Sequence, residues 1–222
     1  MRRMFGASGW ALLLGALLMS CSSKEHEPPA RAWESITIQS PMTVSSNDLH
    51  PVTGKDQRLR IKLVKGRYYE DWYPGPLMGP VWEGDYVAEL ADEYGNTIAE
   101  TDLGRFFGEP LAFNSHFLLE FDDYNGDGDA DFTIGQYASS NGRHFRIFTL
   151  RESGEVEELP VKDHAPLFIS DYTDVHSTRL EKIEPHGFKI VHYDMSAGKH
   201  VESVFRWNGE AFELNGTREV EL

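Results

Sequence analysis

The sequence holds one cysteine in 222 residues, at position 21. A lone thiol excludes an intrachain disulfide framework and a multi-cysteine zinc site. Basic residues are scarce as well, with 21 Lys and Arg against 36 Asp and Glu and a formal charge of −15. No Lys/Arg run offsets that charge. An acidic surface of this kind repels phosphate, which excludes nucleic acid as a partner and charge-driven docking on anionic lipid. There is no G-x-S-x-G elbow, no H-E-x-x-H pair and no phosphate-binding glycine loop, so serine-hydrolase, zinc-protease and nucleotide-binding chemistries lack their side chains. The nine histidines are dispersed, with His144, His186, His192 and His200 expected on strand surfaces or in turns. No segment recurs three or more times, which argues against a full repeat array. What remains is a globular composition, 40% hydrophobic and 12% aromatic, long enough to bury one sizeable core or two small ones.

The single cysteine sits at the end of an N-terminal address. Arg2 and Arg3 give residues 1–20 a positive start, and Trp10–Met19 (WALLLGALLM) form an apolar stretch. That stretch is about half the roughly 20 residues a membrane-spanning helix needs. It runs into Leu18-Met19-Ser20-Cys21, which resembles the lipobox of bacterial lipoproteins. The resemblance implies cleavage before Cys21, a diacylglyceryl group on its thiol, and a chain held outside the cytoplasm on a membrane, at the cell surface or in the periplasm. Removing residues 1–20 takes the formal charge from −15 to −17. Ser22 at the next position is unlike the Asp that signals inner-membrane retention in that family. Residues 21–34 then read as the lipidated Cys and a small, charged, proline-bearing tether.

From residue 35 onward the dominant pattern is alternation of period two, which predicts strands. It is clean in Arg58–Val64 (RLRIKLV), Tyr86–Leu90, Phe145–Leu150, Phe188–His192 and Val201–Trp207. Turn signals fall between such runs at Glu93–Asn96 and Glu152–Glu155, and Asn208-Gly209 is the strongest of them because both residues tolerate positive φ. The expected fold of 35–222 is therefore all-β. The candidate architectures are an antiparallel sandwich or a partial (half) β-propeller, in one lobe or in two with a boundary near 104–115. The Pro/Gly/aromatic stretch 69–80 reads as irregular.

One segment carries specific chemistry. Asp123, Asn125, Asp127, Asp129 and Asp131 place oxygen-bearing side chains at alternating loop positions, with Gly128 among them to allow a sharp turn. Calcium is a hard cation that takes about 6–8 oxygens at about 2.3–2.6 Å, and alternating side chains in a tight loop can converge on one. Ile134 stands where an EF-hand would have its bidentate Glu, and the flanks read as strands. The segment resembles instead the D-x-N-x-D-G-x-x-D calcium loop of FG-GAP/VCBS-type repeats, on Asp123, Asn125, Asp127, Gly128 and Asp131. That resemblance implies calcium as cofactor, held by the side chains of Asp123, Asn125, Asp127 and Asp131 and by the carbonyl of Asp129. The motif occurs once, so a half-propeller or a sandwich fits it better than a whole propeller. Some calcium-loop half-propeller proteins of the cell envelope inhibit wall-cleaving enzymes, which implies a protein partner.

Tyr69, Trp72, Tyr73 and Trp82 form a second candidate site, where flat rings among prolines and glycines could meet a sugar or a peptide. The string Gln136–Gly142, which follows the acidic loop, is a candidate rim that calcium could hold in place. The leading expectation is a lipid-anchored, extracytoplasmic calcium-binding β domain acting as a binding module toward an envelope protein or glycan. The alternatives are an envelope hydrolase acting on glycans and a purely structural lipoprotein. A cleft with two facing carboxylates near 68–86 would favour the hydrolase, and a flat acidic or aromatic face the binding module.

Overall fold

The computed structural model describes residues 34–221. The lipobox, Cys21 and the tether up to residue 33 lie outside them. Among the described residues, fifteen strands make three antiparallel sheets that follow one another along the chain, none closed into a barrel. The first sheet contains β1 (Ile36–Ile38), β2 (Met42–Asp48), β3 (Arg58–Asp71), β4 (Gly79–Ala91), β5 (Thr97–Asp102) and β6 (Leu111–Phe113). The long β3–β4 hairpin is its spine, with β1 and β2 sharing the outer edge of β3 and β5 and β6 pairing with β4. The second sheet contains β7 (Phe121–Asp122), β8 (Ala130–Ser139), β9 (Gly142–Leu150), β10 (Val156–Glu158) and β11 (Leu167–Ile169), in the order β10–β9–β8–β7 with β11 also on β9. The third is a plain meander of β12 (Glu181–Lys182), β13 (Gly187–Asp194), β14 (Lys199–Trp207) and β15 (Phe212–Val220).

The sequence pattern explains the layering. Along β3, Leu59, Ile61 and Leu63 are fully buried, while Arg60 and Lys62 lie on the opposite face and bind Glu89. The apolar set meets Tyr86 and Phe113 of its own sheet and Phe132, Ile134, Phe148 and Leu150 of the second. Alternate residues of β9, Phe145 and Ile147, turn the other way and pack with Phe188, Ile190, Phe205 and Phe212 of the third sheet. The middle sheet is therefore covered on both faces, and the alternation of β9 breaks at Ile147-Phe148 because these neighbours enter different cores. Cross-strand ring stacking lines the face each sheet turns to its core, with Phe132 and Phe148 of the second sheet 5.7 Å apart and Phe188 and Phe205 of the third 5.2 Å apart. Each such ring contributes about 1.5–3 kcal/mol of burial.

The two outer faces carry the charge. Glu89 accepts from Arg60 at 3.1 Å and is also paired with Lys62. Burial works against its ionisation, yet Lys62, Arg60 and Thr97 hold its carboxyl below the usual range. On the third sheet Glu202 accepts from Arg218 at 2.7 Å and pairs with Lys189 at 3.2 Å.

The strands give the stack two distinct ends. At one, here the loop end, lie the short helix α1 (His50–Thr53), the 92–96 turn, the 123–129 loop and the 151–155 turn. Val52, Lys55, Leu90, Gly128, Asp129 and Arg151 line a shared cavity of about 300 Å³ there. At the other, the tip end, the hairpin turns 72–78, 139–142 and 195–198 come together. Arg143 Nη2 donates to Pro76 O at 3.4 Å, and Asn141 Nδ2 lies 3.1 Å from Met195 Sδ.

The stretch 69–80, which reads as irregular, and the stretch 104–115, which reads as a boundary, both contain strand. Strand β3 continues to Asp71 and β4 begins at Gly79, so only 72–78 is loop. The reason is cross-strand packing, since Tyr68 pairs with Trp82 and their rings lie 5.7 Å apart. The 104–115 stretch holds a 3-10 turn (Gly104–Phe106) and β6, which adds to the edge of β4. Among the described residues no helix is long and apolar enough to cross a membrane.

Candidate functional site

The acidic loop joins β7 to β8. Only two residue pairs, Phe121 with Phe132 and Asp122 with Asp131, close the ladder beneath it. Gly126 (φ +79°) and Gly128 (φ +87°) both adopt the left-handed region that turns the loop. A Cβ on Gly126 would come within 1.8 Å of His186 Nδ1, so this position is also one of close approach. The side-chain oxygens then fold back onto the loop's own amides. Asp123 Oδ1 accepts from the Gly126 amide at 2.7 Å and Oδ2 from that of Gly128 at 3.3 Å. Asn125 Oδ1 accepts from the Asp127 amide at 3.1 Å, and Asp127 Oδ1 from the Asp129 amide at 2.9 Å. Such Asx turns satisfy the backbone of a loop too short to pair with itself.

Asp131 is the deepest of the set, fully buried at the start of β8. Its Oδ2 accepts from the Tyr124 amide at 2.8 Å, while Oδ1 has only the Thr149 hydroxyl of the neighbouring strand to answer it, off good hydrogen-bond geometry. Burial, reinforced by the carboxylates of Asp127 and Asp123, pushes its pKa up to about 7. A chain cation stands across the loop. Arg151, just past β9, donates from Nη1 to Asp127 Oδ2 at 2.8 Å and to Asp129 Oδ2 at 3.0 Å, and from Nε to Glu157 Oε2 at 2.6 Å. Although burial opposes it, the Asp129 amide, Asn125 and Arg151 hold the Asp127 carboxyl below the usual range.

The donor set is all oxygen, which suits a hard cation such as calcium, and Asp131 Oδ1, with only the Thr149 hydroxyl beside it, can still accept. Asp129 commits its side chain to Arg151, which leaves its carbonyl as the atom it could offer. Among the described residues, however, no three His, Cys, Asp or Glu side chains already converge as a metal-holding group. Asp123, Asn125, Asp127 and Asp131 would hold the ion, and a bound divalent cation would supply positive charge to a loop in which Arg151 answers only Asp127 and Asp129.

The aromatic candidates divide. Tyr68 and Trp82 share one face of the β3–β4 hairpin, where Trp82 packs on the first core. Tyr69 alternates to the other face, beneath Arg67 at 5.0 Å, with its hydroxyl 3.1 Å from Glu83 Oε2. Trp72 and Tyr73 sit in the turn itself, 66% and 53% exposed. The four therefore make no single ring platform, and only Trp72 and Tyr73 are presented outward. Glu70 takes the Tyr68 hydroxyl and Trp72 Nε1, at 2.7 and 2.8 Å. It lies on the face opposite Glu83, so these two carboxylates do not confront each other across a cleft.

The Gln136–Gly142 string lies at the far end of β8 from the acidic loop. Six residues of strand separate Asp131 from Tyr137, a distance of about 20 Å. An ion in the loop does not touch this string, which joins the tip end instead. Beside it, Leu77, Phe107, Ala112, Gln136, Tyr137 and His144 line a cavity of about 280 Å³ between the first two sheets.

Three polar residues emerge only from the fold. Arg151 closes the acidic loop, and its one sequence signal is standing directly before the acidic turn that holds Glu152 and Glu155. Asn47 ties the first sheet to residue 119, accepting from the Leu119 amide at 2.8 Å. His176 is fully buried against Phe113 and Phe117, with Nε2 2.9 Å from Asn114 Oδ1 and Nδ1 unpartnered. Burial, with Arg143 nearby, depresses its pKa to about 4. Comparison of the chain with protein-family models, with curated proteins and with solved structures finds no match.

Proposed function

We infer that the chain is a lipid-anchored, extracytoplasmic binding module of the cell envelope whose loop end is braced by calcium. The observation that carries the calcium reading is the loop's all-oxygen donor set around a buried Asp131 carboxyl whose Oδ1 has only the Thr149 hydroxyl beside it. Leaving a buried carboxylate oxygen poorly satisfied costs about 1–3 kcal/mol, and a cation bound beside it removes that penalty. The anchoring reading rests on the lipobox and the placement of the chain's one thiol. The binding reading rests on Trp72 and Tyr73, large rings held outward at the tip by a turn rich in proline. A component of the envelope is what such a face would meet.

The test is a thermal melt of the full chain in detergent, with millimolar calcium, with magnesium and with chelator. Extracellular calcium modules bind at about 10⁻⁴–10⁻³ M. Saturation at about ten times Kd stabilises by about 1.4 kcal/mol, or about 3–6 °C for a domain of this size. A rise specific to calcium supports the reading. Identical melts in calcium and chelator would sink it.

A further inference from the structure

We propose that the tip end of the domain rests on the lipid surface that carries Cys21, with Trp72, Tyr73 and Met78 as its interfacial contacts. This rests on the lipoprotein reading above and names the partner of the exposed face.

The chain's own geometry selects this end. Strand β1 pairs antiparallel to β3, with Ile36 opposite Tyr68 and Ile38 opposite Gly66. Followed back toward the N-terminus, the chain therefore runs along β3 toward Glu70 and the tip. Residues 22–33 lie between Cys21 and the first described residue. That length spans at most about 40 Å when fully extended. Strand β3 runs for 14 residues from the loop end to the tip, about 45 Å. A short tether attached at the tip keeps that end close to the lipid and the loop end a full strand length farther out.

The tip is also built for an interface. Ile36, Trp72, Tyr73, Met78, Tyr137 and Met195 are all exposed there, Met195 to 72%. They come from all three sheets, brought together by the Arg143–Pro76 and Asn141–Met195 contacts. Trp and Tyr favour the boundary between lipid and water because the ring is apolar and its N–H or O–H stays hydrated. Trp72 keeps its Nε1 on Glu70 at 2.8 Å, and Pro74 and Pro76 restrict the turn, so little is left to order on contact. The acidic chain gains nothing from anionic headgroups, so the contact is through rings on a zwitterionic surface.

The test uses the full mature chain, reconstituted in phosphatidylcholine vesicles that contain lipid brominated near the headgroup end of one acyl chain. Mass spectrometry first establishes whether Cys21 carries lipid, and a mature chain without it overturns the anchoring reading and this inference together. In the lipidated chain, bromine is expected to quench tryptophan emission roughly twofold more in the wild type than in Trp72→Phe. The control Trp207→Phe should leave that quenching in place. Equal quenching in wild type and Trp72→Phe, with the lipid present on Cys21, overturns the inference and leaves the anchor standing. Unquenched Trp72 together with concentration-dependent dimers in sedimentation gives the face to a second copy of the chain and overturns it as well.

Discussion

The two ends of the stack share one scaffold and present opposite chemistry. At the loop end, Asp123, Asn125 and Asp127 fold onto their own backbone, Arg151 answers two carboxylates, and one buried oxygen of Asp131 has only the Thr149 hydroxyl beside it. Val52 and Tyr94 are exposed there too, among Asp48, Asp56 and Glu93. At the tip end large apolar side chains, Ile36, Trp72, Tyr73, Met78, Tyr137 and Met195, stand exposed beside Glu70 and Asp194. One end has charge that a cation can balance, and the other has apolar surface that a boundary can cover. A rigid three-layer core lets both exist without compromise, because neither end has to supply the folding energy.

The strongest way to break that comparison is through the shared core. Phe148 packs the first sheet onto the second, stacked on Phe132 and edge-on to Phe106. Phe148→Ala is expected to destabilise by about 3–5 kcal/mol, and loop and tip should unfold in one denaturant transition. Two transitions, one reported by tip tryptophan fluorescence and one by calcium release, would show that the ends belong to separate cooperative units.

Next in size is the response to acid of His176, which is buried between the ends. Its folded pKa of about 4 lies below the ordinary 6.5, and Arg143 and Asp174 are the charged groups acting on it. The unfolded chain binds the proton first, so this contribution is complete above about pH 6.5 and is lost as pH falls toward 4, by about 3 kcal/mol. Stability measured against pH should slope downward through that window, and the slope should flatten in His176→Gln. An unchanged slope in the variant would move the acid sensitivity to other groups.

How much of this was legible beforehand depended on whether a residue's partner is local. The run RLRIKLV announced β3, and Asn208-Gly209 announced the β14–β15 turn, because alternation and turn chemistry are written in neighbouring residues. The continuation of the hairpin through Tyr68 and Trp82 was not visible, since their stacking spans fourteen positions and prolines beside them read as loop. The buried Asp131, Thr133 and Thr149 were likewise hidden, because the middle sheet's second buried face exists only once the third sheet has packed on it. The acidic loop stood out by composition alone. Its guanidinium partner Arg151 did not, since only the β8–β9 ladder carries position 151 back to position 129. The separation of Gln136–Gly142 from the loop needed the strand length.

Smaller effects sharpen the contrast. Arg151→Met leaves Asp127 and Asp129 without their cation. In chelator it is expected to lower stability by about 1 kcal/mol, a modest figure because the pairs are partly exposed. In calcium the loss should shrink, so the calcium-induced rise in melting temperature exceeds that of the wild type. A rise that is smaller than wild type would mean Arg151 supports the ion rather than substituting for it. Smallest of all, Trp72→Ser should change stability by no more than about 0.5 kcal/mol, as judged by urea denaturation, while weakening contact with vesicles. A large loss of stability would recast Trp72 as a structural residue.

The most direct measurement is a calorimetric titration of calcium into the full chain, beside Asp127→Ala and Asp131→Asn. The expected result is one site with a dissociation constant of about 10⁻⁴–10⁻³ M, weakened at least about tenfold in either variant. No heat from the wild type, or equal affinity in all three chains, would contradict a cation at the loop end.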